Sequence, residues 1–219
     1  MPNEFKSIPR RVEELLSGDE LQGEALDNLM YRFLDEGRNC DQKFLRTIGI
    51  LVVAQVFFEI VARNSIAEAE IFGVKLASLA FVQFLAAPAI AYLFTSAAAM
   101  LLASIVHLKT FVLIAEGRFP SLKESGLAGL LSAQRGPAFL LDEFDYISSW
   151  RRTRWLQSVG ILVYIFLMTL LPLALCVWNL RRLYVATSIA HWGFWLSTFV
   201  AVTLTAIGYW HLSIQARRR

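Results

Sequence analysis

The sequence predicts an all-α membrane protein with four transmembrane helices, both termini in the cytoplasm and short cytosolic amphipathic helices. Of its 219 residues, 56% are apolar and only 18% are charged, whereas an average soluble domain has about 25% charged residues. The charges also avoid several long stretches completely, and the basic residues gather in alternate segments between them. These three features argue against a soluble domain and predict the topology.

Four stretches are apolar enough to cross a bilayer, because a transmembrane helix needs about 20 mostly apolar residues. The first is short and contains one acidic residue, Glu59, while each of the other three lies in a charge-free run of at least 26 residues. Runs of that length can tilt in the bilayer or project from it. We predict spans at about residues 45–62, 76–106, 155–178 and 188–211, which form a membrane domain of residues 45–219 behind a cytosolic segment of residues 1–44.

The basic residues predict which side of the membrane each segment faces, because cytoplasmic flanks are enriched in Lys and Arg. With both termini and the central loop 107–154 in the cytoplasm, these inner segments hold 17 of the 21 basic residues. The outer segments then keep only Arg63, Lys75, Arg181 and Arg182. Six inner arginines are predicted to anchor the chain at the membrane surface and to contact anionic lipids: Arg151, Arg152, Arg154, Arg217, Arg218 and Arg219.

The cytosolic segment 1–44 has apolar residues at helical spacing, which predicts two short amphipathic helices. Pro9 suits a first helical turn, and Ser17 with Glu20 has capping-box spacing for the start of the second helix. Gly37 predicts the end of that helix. Two roles stay open: a helical hairpin that recruits a partner or packs on the central loop, or a collar that lies on the inner membrane surface.

The connection between the first two spans contains a short pattern of alternating apolar residues around Gly73. Residues 71–76 read Ile-Phe-Gly-Val-Lys-Leu. This pattern predicts a brief extended segment or a tight ribbon. An extended edge at this place could pair between subunits.

Prolines and small residues give the second and third spans specific features. Pro88 and Pro172 each remove one backbone donor, so we predict a helix kink at both. In the second span, small residues recur every four positions and predict a face that another helix can approach closely. They are Ala87, Ala91, Thr95, Ala99 and Ala103.

The helix of the second span is predicted to continue past the membrane to Glu116 and to end near Gly117. Glycine and proline residues interrupt the rest of the central loop, where we predict short helices at residues 127–133 and 139–150. The loop 107–154 has only 48 residues, which is too few for an independent enzyme domain.

Glu59 is the only acidic residue inside a predicted span, and intramembrane charges are costly enough to suggest a function. Gln55, Glu59 and Arg63 follow one another at four-residue steps and therefore share a helix face. In an oligomer this stripe could line a pore and favour cations. The alternative is that Glu59 lies near the outer surface and pairs with Arg63.

No motif in the sequence predicts catalysis or a cofactor. Phosphate-binding loops, nucleophile elbows, kinase signatures and zinc-protease motifs are all missing from the sequence. The histidines His107, His191 and His211 have no ligand spacing and are predicted to form interfacial hydrogen bonds rather than a metal site. Cys40 and Cys176 are predicted to lie at different depths, which favours reduced thiols. We therefore expect no enzyme, no metal and no cofactor.

The first half of the chain combines a cytosolic amphipathic lead, a first span, the extended segment 71–76 and a second span with Pro88 and Tyr92. This layout resembles small bacterial membrane effectors of anti-phage abortive-infection and retron-type systems. The resemblance implies a protein that a sensor holds inactive and then releases, after which it damages the inner membrane and kills the infected cell. It covers the layout only and carries over no functional residue.

Two functions fit these observations. The first is an oligomeric effector in the bacterial inner membrane that compromises membrane integrity and receives a cytosolic trigger based on protein or nucleic acid. Its support is the small-residue face and the missing catalytic motifs. The second is a non-catalytic anchor or regulatory subunit that binds another protein through residues 1–44 and 107–154.

Overall fold

In a computed structural model, the chain is almost entirely helical over the residues that the structure describes. These are residues 8–17, 23–62, 70–71, 74–75, 79–125, 159, 166, 170–187 and 192–217. Its contacts divide the chain into two compact units. Unit 1 comprises Met1–Gln42 and Leu101–Tyr164, and unit 2 comprises Lys43–Met100 and Ile165–Arg219.

Three of the described helices are long and apolar enough to cross a membrane, as expected for a multi-pass membrane protein. These are α2, α3 and α6 in the order of elements below. The helices are α1 (Ile8–Ser17), α2 (Glu24–Ala62), α3 (Leu79–Arg118), α4 (Pro120–Ser125), α5 (Leu171–Thr187) and α6 (Trp192–Arg217), and the strands are β1 (Glu70–Ile71) and β2 (Val74–Lys75).

A single helix of 39 residues, α2, stands where the sequence predicts an amphipathic helix followed by a separate span. The predicted end near Gly37 is wrong. A Cβ atom at this position would lie 2.7 Å from Cγ of Leu108 on α3, so the glycine permits close packing. Glycine inside a helix costs only about 1 kcal/mol, and packing overrides it. The predicted start at Ser17 and Glu20 is also wrong, because α2 begins at Glu24, after Gly23 with a φ of 64°.

The extended segment between α2 and α3 is confirmed as a pair of short antiparallel strands. In this pair Glu70 is opposite Lys75 and Ile71 is opposite Val74. The prediction followed from the period of two in the apolar residues, which is the period of side chains along a strand.

Helix α3 runs for 40 residues and ends at Arg118, which confirms the predicted continuation to Glu116 and the end near Gly117. Pro88 lies inside this helix. Because proline has no N–H, the carbonyl of Phe84, four residues earlier, loses its usual helical partner. The hydroxyl of Ser197 on α6 donates a hydrogen bond to that carbonyl at 2.9 Å. The partner helix thus supplies a donor to a carbonyl whose helical donor the proline removes.

Unit 1 has its own apolar core, built from α1, the first half of α2 and the second half of α3. Asp27 lies 3.9 Å from Arg118, and Gly37 packs on Leu108. These pairs show that α2 and α3 run antiparallel here. The buried core residues are Val12, Leu26, Met30, Leu34, Leu108, Phe111, Ile114 and Ala115.

In unit 2 the small residues of α3 pack closely against another helix, as predicted. That helix is α6 of the same chain. The hydroxyl of Thr95 donates to the carbonyl of Leu204 at 2.6 Å, and a Cβ on Gly208 would lie 2.6 Å from the ring of Phe94. The buried residues of this core are Leu51, Ala87, Ile90, Ala91, Phe94, Cys176 and Ala201.

Helices α5 and α6 form an antiparallel pair. Tyr184 packs against Phe194 with ring centroids 6.0 Å apart, while Sγ of Cys176 lies 3.9 Å from Oγ1 of Thr205. The predicted third span, 155–178, falls largely outside the described residues, as do the predicted short helices at 127–133 and 139–150. The predicted division at residue 45 stays a prediction.

A candidate functional site in the polar seam between α2 and α5

A charged side-chain pair in unit 2 joins α2 to α5. Nη1 and Nη2 of Arg182 donate to the two carboxylate oxygens of Glu59 at 2.7 and 2.8 Å. Two parallel, charge-assisted hydrogen bonds of this kind fix both the distance and the orientation of the partners. The pair therefore holds two helices whose residues are far apart in sequence.

A second bond lies one helical turn away. Nδ2 of Asn179 donates to Oε1 of Gln55 at 2.9 Å and also reaches the carbonyl of Leu175 on its own helix. Gln55 precedes Glu59 on α2, and Asn179 precedes Arg182 on α5, so the two helices run in the same direction. We call these four residues, Gln55, Glu59, Asn179 and Arg182, the polar seam.

Aromatic and apolar side chains surround the polar seam. The guanidinium carbon of Arg182 lies 5.1 Å from the ring centroid of Trp178, close enough for a cation–π interaction. A small cleft beside the seam is lined by residues of three helices, with Gln83 of α3 as a further polar group. Its lining residues are Phe58, Val61, Val82, Gln83, Ala86, Asn179, Arg182 and Leu183.

The charged pair lies at the edge of the helix packing rather than in its centre. The side chains of Arg182 and Glu59 are 30% and 27% exposed. The opposite side of α2 presents Ile50 and Val53, which are 47% and 69% exposed, as expected for a lipid-facing surface. The seam can therefore be reached from the surface, while its opposite charges neutralise each other inside an apolar environment.

The structure brings two of the three predicted stripe residues, Gln55 and Glu59, to α5. Arg63 lies outside the described residues, so the alternative pairing with Glu59 and the pore-lining role stay predictions. Charge counting placed Arg182 in an outer connection, so it was not predicted as the partner of Glu59. The available signal was a pair of arginines, Arg181 and Arg182, in a run otherwise free of charge at residues 155–216, together with a lone intramembrane acid.

The structure describes only some of the remaining predicted residues. Pro88 is inside α3, and Pro172 is the second residue of α5; the kinks stay predictions. Arg217 is the last residue of α6. The other predicted surface anchors, Arg151, Arg152, Arg154, Arg218 and Arg219, lie outside the described residues.

Other polar groups form no recognisable catalytic or metal centre within the described ranges. No cluster of three or more His, Cys, Asp or Glu residues suited to a metal ion occurs among these residues. His107 packs its ring against Phe33 in unit 1. Asp41 is only 3% exposed, and the sequence analysis did not identify this buried acid. Cys40 and Cys176 are both free thiols.

Comparison with known proteins adds no assignment to this geometry. No protein family, curated protein or solved structure matches the chain. The resemblance to anti-phage membrane effectors thus stays a prediction, and the functional argument depends on the polar seam and the helix directions.

Proposed function

We propose that the chain crosses the membrane four times, with both termini in the cytoplasm. The support comes from helix directions within unit 2. Phe84 contacts Ser197 and Thr95 contacts Leu204, so α3 and α6 run in the same direction. Two consecutive spans that run in the same direction require the chain to return across the bilayer between them. Helix α5, antiparallel to α6, lies in that returning part.

The orientation is supported by the basic residues, 17 of which fall on the inner side under this arrangement. Exposed tryptophans near both ends of α6 agree with a spanning helix, because Trp collects at the two membrane interfaces. Trp195 is 58% exposed and Trp210 is 64% exposed, and 15 residues of helix separate them by about 22 Å. Labelling of single cysteines from each side of the membrane tests the arrangement. Labelling of position 124 only from the outside would contradict it.

As its function, we propose that this protein is a bacterial inner-membrane effector that compromises membrane integrity. The polar seam is the observation that carries this proposal. An inert membrane anchor needs no ion pair between its spans, since an apolar pair of similar volume is often as stable or more stable. Ionisable groups inside a membrane typically belong to a path for ions or protons. Membrane lipids, anionic ones among them, are its direct partners, and a cytosolic trigger and a homo-oligomeric state belong to the same proposal.

Membrane potential tests this function directly. We expect controlled expression in bacterial cells to depolarise the inner membrane, measured with a voltage-sensitive dye. The purified chain should release potassium from vesicles of phosphatidylethanolamine and phosphatidylglycerol, with protein-free vesicles as the control. A steady potential at confirmed membrane expression, together with tight vesicles, would contradict an effector.

A second function, a non-catalytic anchor or regulatory subunit, is favoured by unit 1. Its separate core joins α1 to the first half of α2 and the second half of α3. A separate compact body of this kind can bind another protein. This function predicts stable co-purification of one cellular protein and no potassium release.

A further inference from the structure

We propose that the polar seam is a latch, and that the membrane path opens between α2 and α5 when the pair of Glu59 and Arg182 separates. This inference rests on the proposed effector function and names the element that moves. It depends on a contrast between two parallel helix pairs in unit 2: α3 with α6, and α2 with α5.

The pair of α3 and α6 is held by bonds to the backbone. Ser197 donates to the carbonyl of Phe84, and Thr95 donates to the carbonyl of Leu204. If these helices separated, the Phe84 carbonyl would lose the bond from Ser197 in hydrocarbon, where no water can replace it, which is unfavourable. Gly208 also lets Phe94 pack directly on the helix backbone. This half of the bundle is therefore fixed.

The pair of α2 and α5 is held differently. Its polar bonds join side chain to side chain, from Gln55 to Asn179 and from Glu59 to Arg182. When the helices separate, these side chains can replace their hydrogen bonds to each other with hydrogen bonds to water. The backbone hydrogen bonds of both helices stay intact. Glu59 lies within one turn of the end of α2 at Ala62, so water can reach the charged pair from that end as the helices separate.

Helix α5 can leave α2 and still stay attached to the bundle. Its other side packs on α6 through the ring contact of Tyr184 with Phe194 and the contact of Cys176 with Thr205. Separation would therefore move α5 with its α6 contacts intact and line the gap with four polar side chains. The closed state is stable because separating two opposite charges in hydrocarbon is costly.

Potassium efflux from vesicles that contain the purified full chain tests the latch. Arg182→Gln removes the two charge-assisted hydrogen bonds that join α5 to Glu59, and we expect efflux about tenfold faster than from wild type, since the closed seam loses its strongest contact across the two helices. Arg181→Gln is the matched control, because it makes the same change at the neighbouring, exposed position of α5. It should leave efflux at the wild-type rate. The exchange of both residues, Glu59→Arg with Arg182→Glu, should restore slow efflux.

A cross-link separates seam opening from simple misfolding. Gln55→Cys and Asn179→Cys are combined with Arg182→Gln in a chain whose native Cys40 and Cys176 are replaced by Ser. A short, reducible thiol cross-linker across the new pair should stop the efflux, and reduction should restore it. Efflux that continues after complete cross-linking would overturn the proposed path.

The outcomes distinguish the latch from the function on which it rests. If wild type releases potassium and Arg182→Gln matches both wild type and Arg181→Gln, the latch is wrong and the effector function stands. If no variant releases potassium, Arg182→Gln included, both proposals are wrong.

Discussion

The bond from Ser197 to the carbonyl of Phe84 makes a quantitative prediction about the stability of the bundle. Ser197 is only 5% exposed, so Ser197→Ala removes a buried hydrogen bond to the Phe84 carbonyl. An unsatisfied buried acceptor costs about 1–3 kcal/mol in soluble proteins, whereas interhelical hydrogen bonds in a membrane protein average about 0.6 and reach about 1.7 kcal/mol. We therefore expect Ser197→Ala to lower the free energy of unfolding by about 1–1.5 kcal/mol.

A second substitution isolates the cause of this loss. Pro88→Ala returns the backbone N–H that can bond the Phe84 carbonyl within α3. In that background the carbonyl no longer needs the hydroxyl, so Ser197→Ala should cost at most about 0.5 kcal/mol and the two changes should couple by about 1 kcal/mol. Thr198→Val is the control, because the hydroxyl of Thr198 bonds only the carbonyl of Phe194 on its own helix.

The measurement is reversible unfolding of the purified chain in mixed micelles with increasing sodium dodecyl sulfate, followed by tryptophan fluorescence. The unfolding free energies of wild type, Ser197→Ala, Pro88→Ala and the double variant together give the coupling energy. Equal costs of Ser197→Ala with and without Pro88 would refute the reasoning, because the hydroxyl would then not replace the missing helical bond.

The same unfolding assay checks two further predictions. Gly208→Ala should destabilise by about 1–3 kcal/mol, because its Cβ would lie 2.6 Å from the buried ring of Phe94. Gly49→Ala, whose Cβ meets nothing within 4 Å, should instead stabilise α2 by up to about 1 kcal/mol. Lower stability of both glycine variants would argue against the packing explanation. Gln55→Leu and Asn179→Leu should couple by about 0.6 kcal/mol, and strictly additive losses would mean that the bond between them contributes nothing.

The membrane helices were predictable because absence of charge is a property of the sequence alone. Any stretch without charged residues and long enough to span the hydrocarbon is recognisable without knowledge of its neighbours. The strand pair at Glu70–Ile71 and Val74–Lys75 was predictable for a similar reason, since its alternating pattern is local. The small-residue face correctly predicted close packing, but the sequence could not identify α6 as the helix that packs there.

Two features could not be predicted because tertiary contacts determine them. Gly37 has the local character of a helix end, yet its contact with Leu108 keeps it inside α2. Arg182 was assigned to an outer connection because charge counting favours positions outside the span. The structure places it within α5, where Glu59, 123 residues away in sequence, neutralises its charge. An ion pair allows a helix to carry a charge that the sequence alone would exclude.

The polar seam also limits how a path between α2 and α5 could conduct. From Gln55 to Glu59 it covers four residues of α2, which is about 6 Å along the axis, whereas the hydrocarbon is about 30 Å thick. Leu51 lies one helical turn before Gln55 on α2, farther from the Ala62 end, and its side chain is only 4% exposed. Separation of the latch would thus admit water from the Ala62 end and leave an apolar constriction at Leu51, of the kind that gates by excluding water. The constriction, rather than the charge of Glu59, would then determine which ions pass, so loss of that charge should speed efflux by separating the pair without changing the preference for cations.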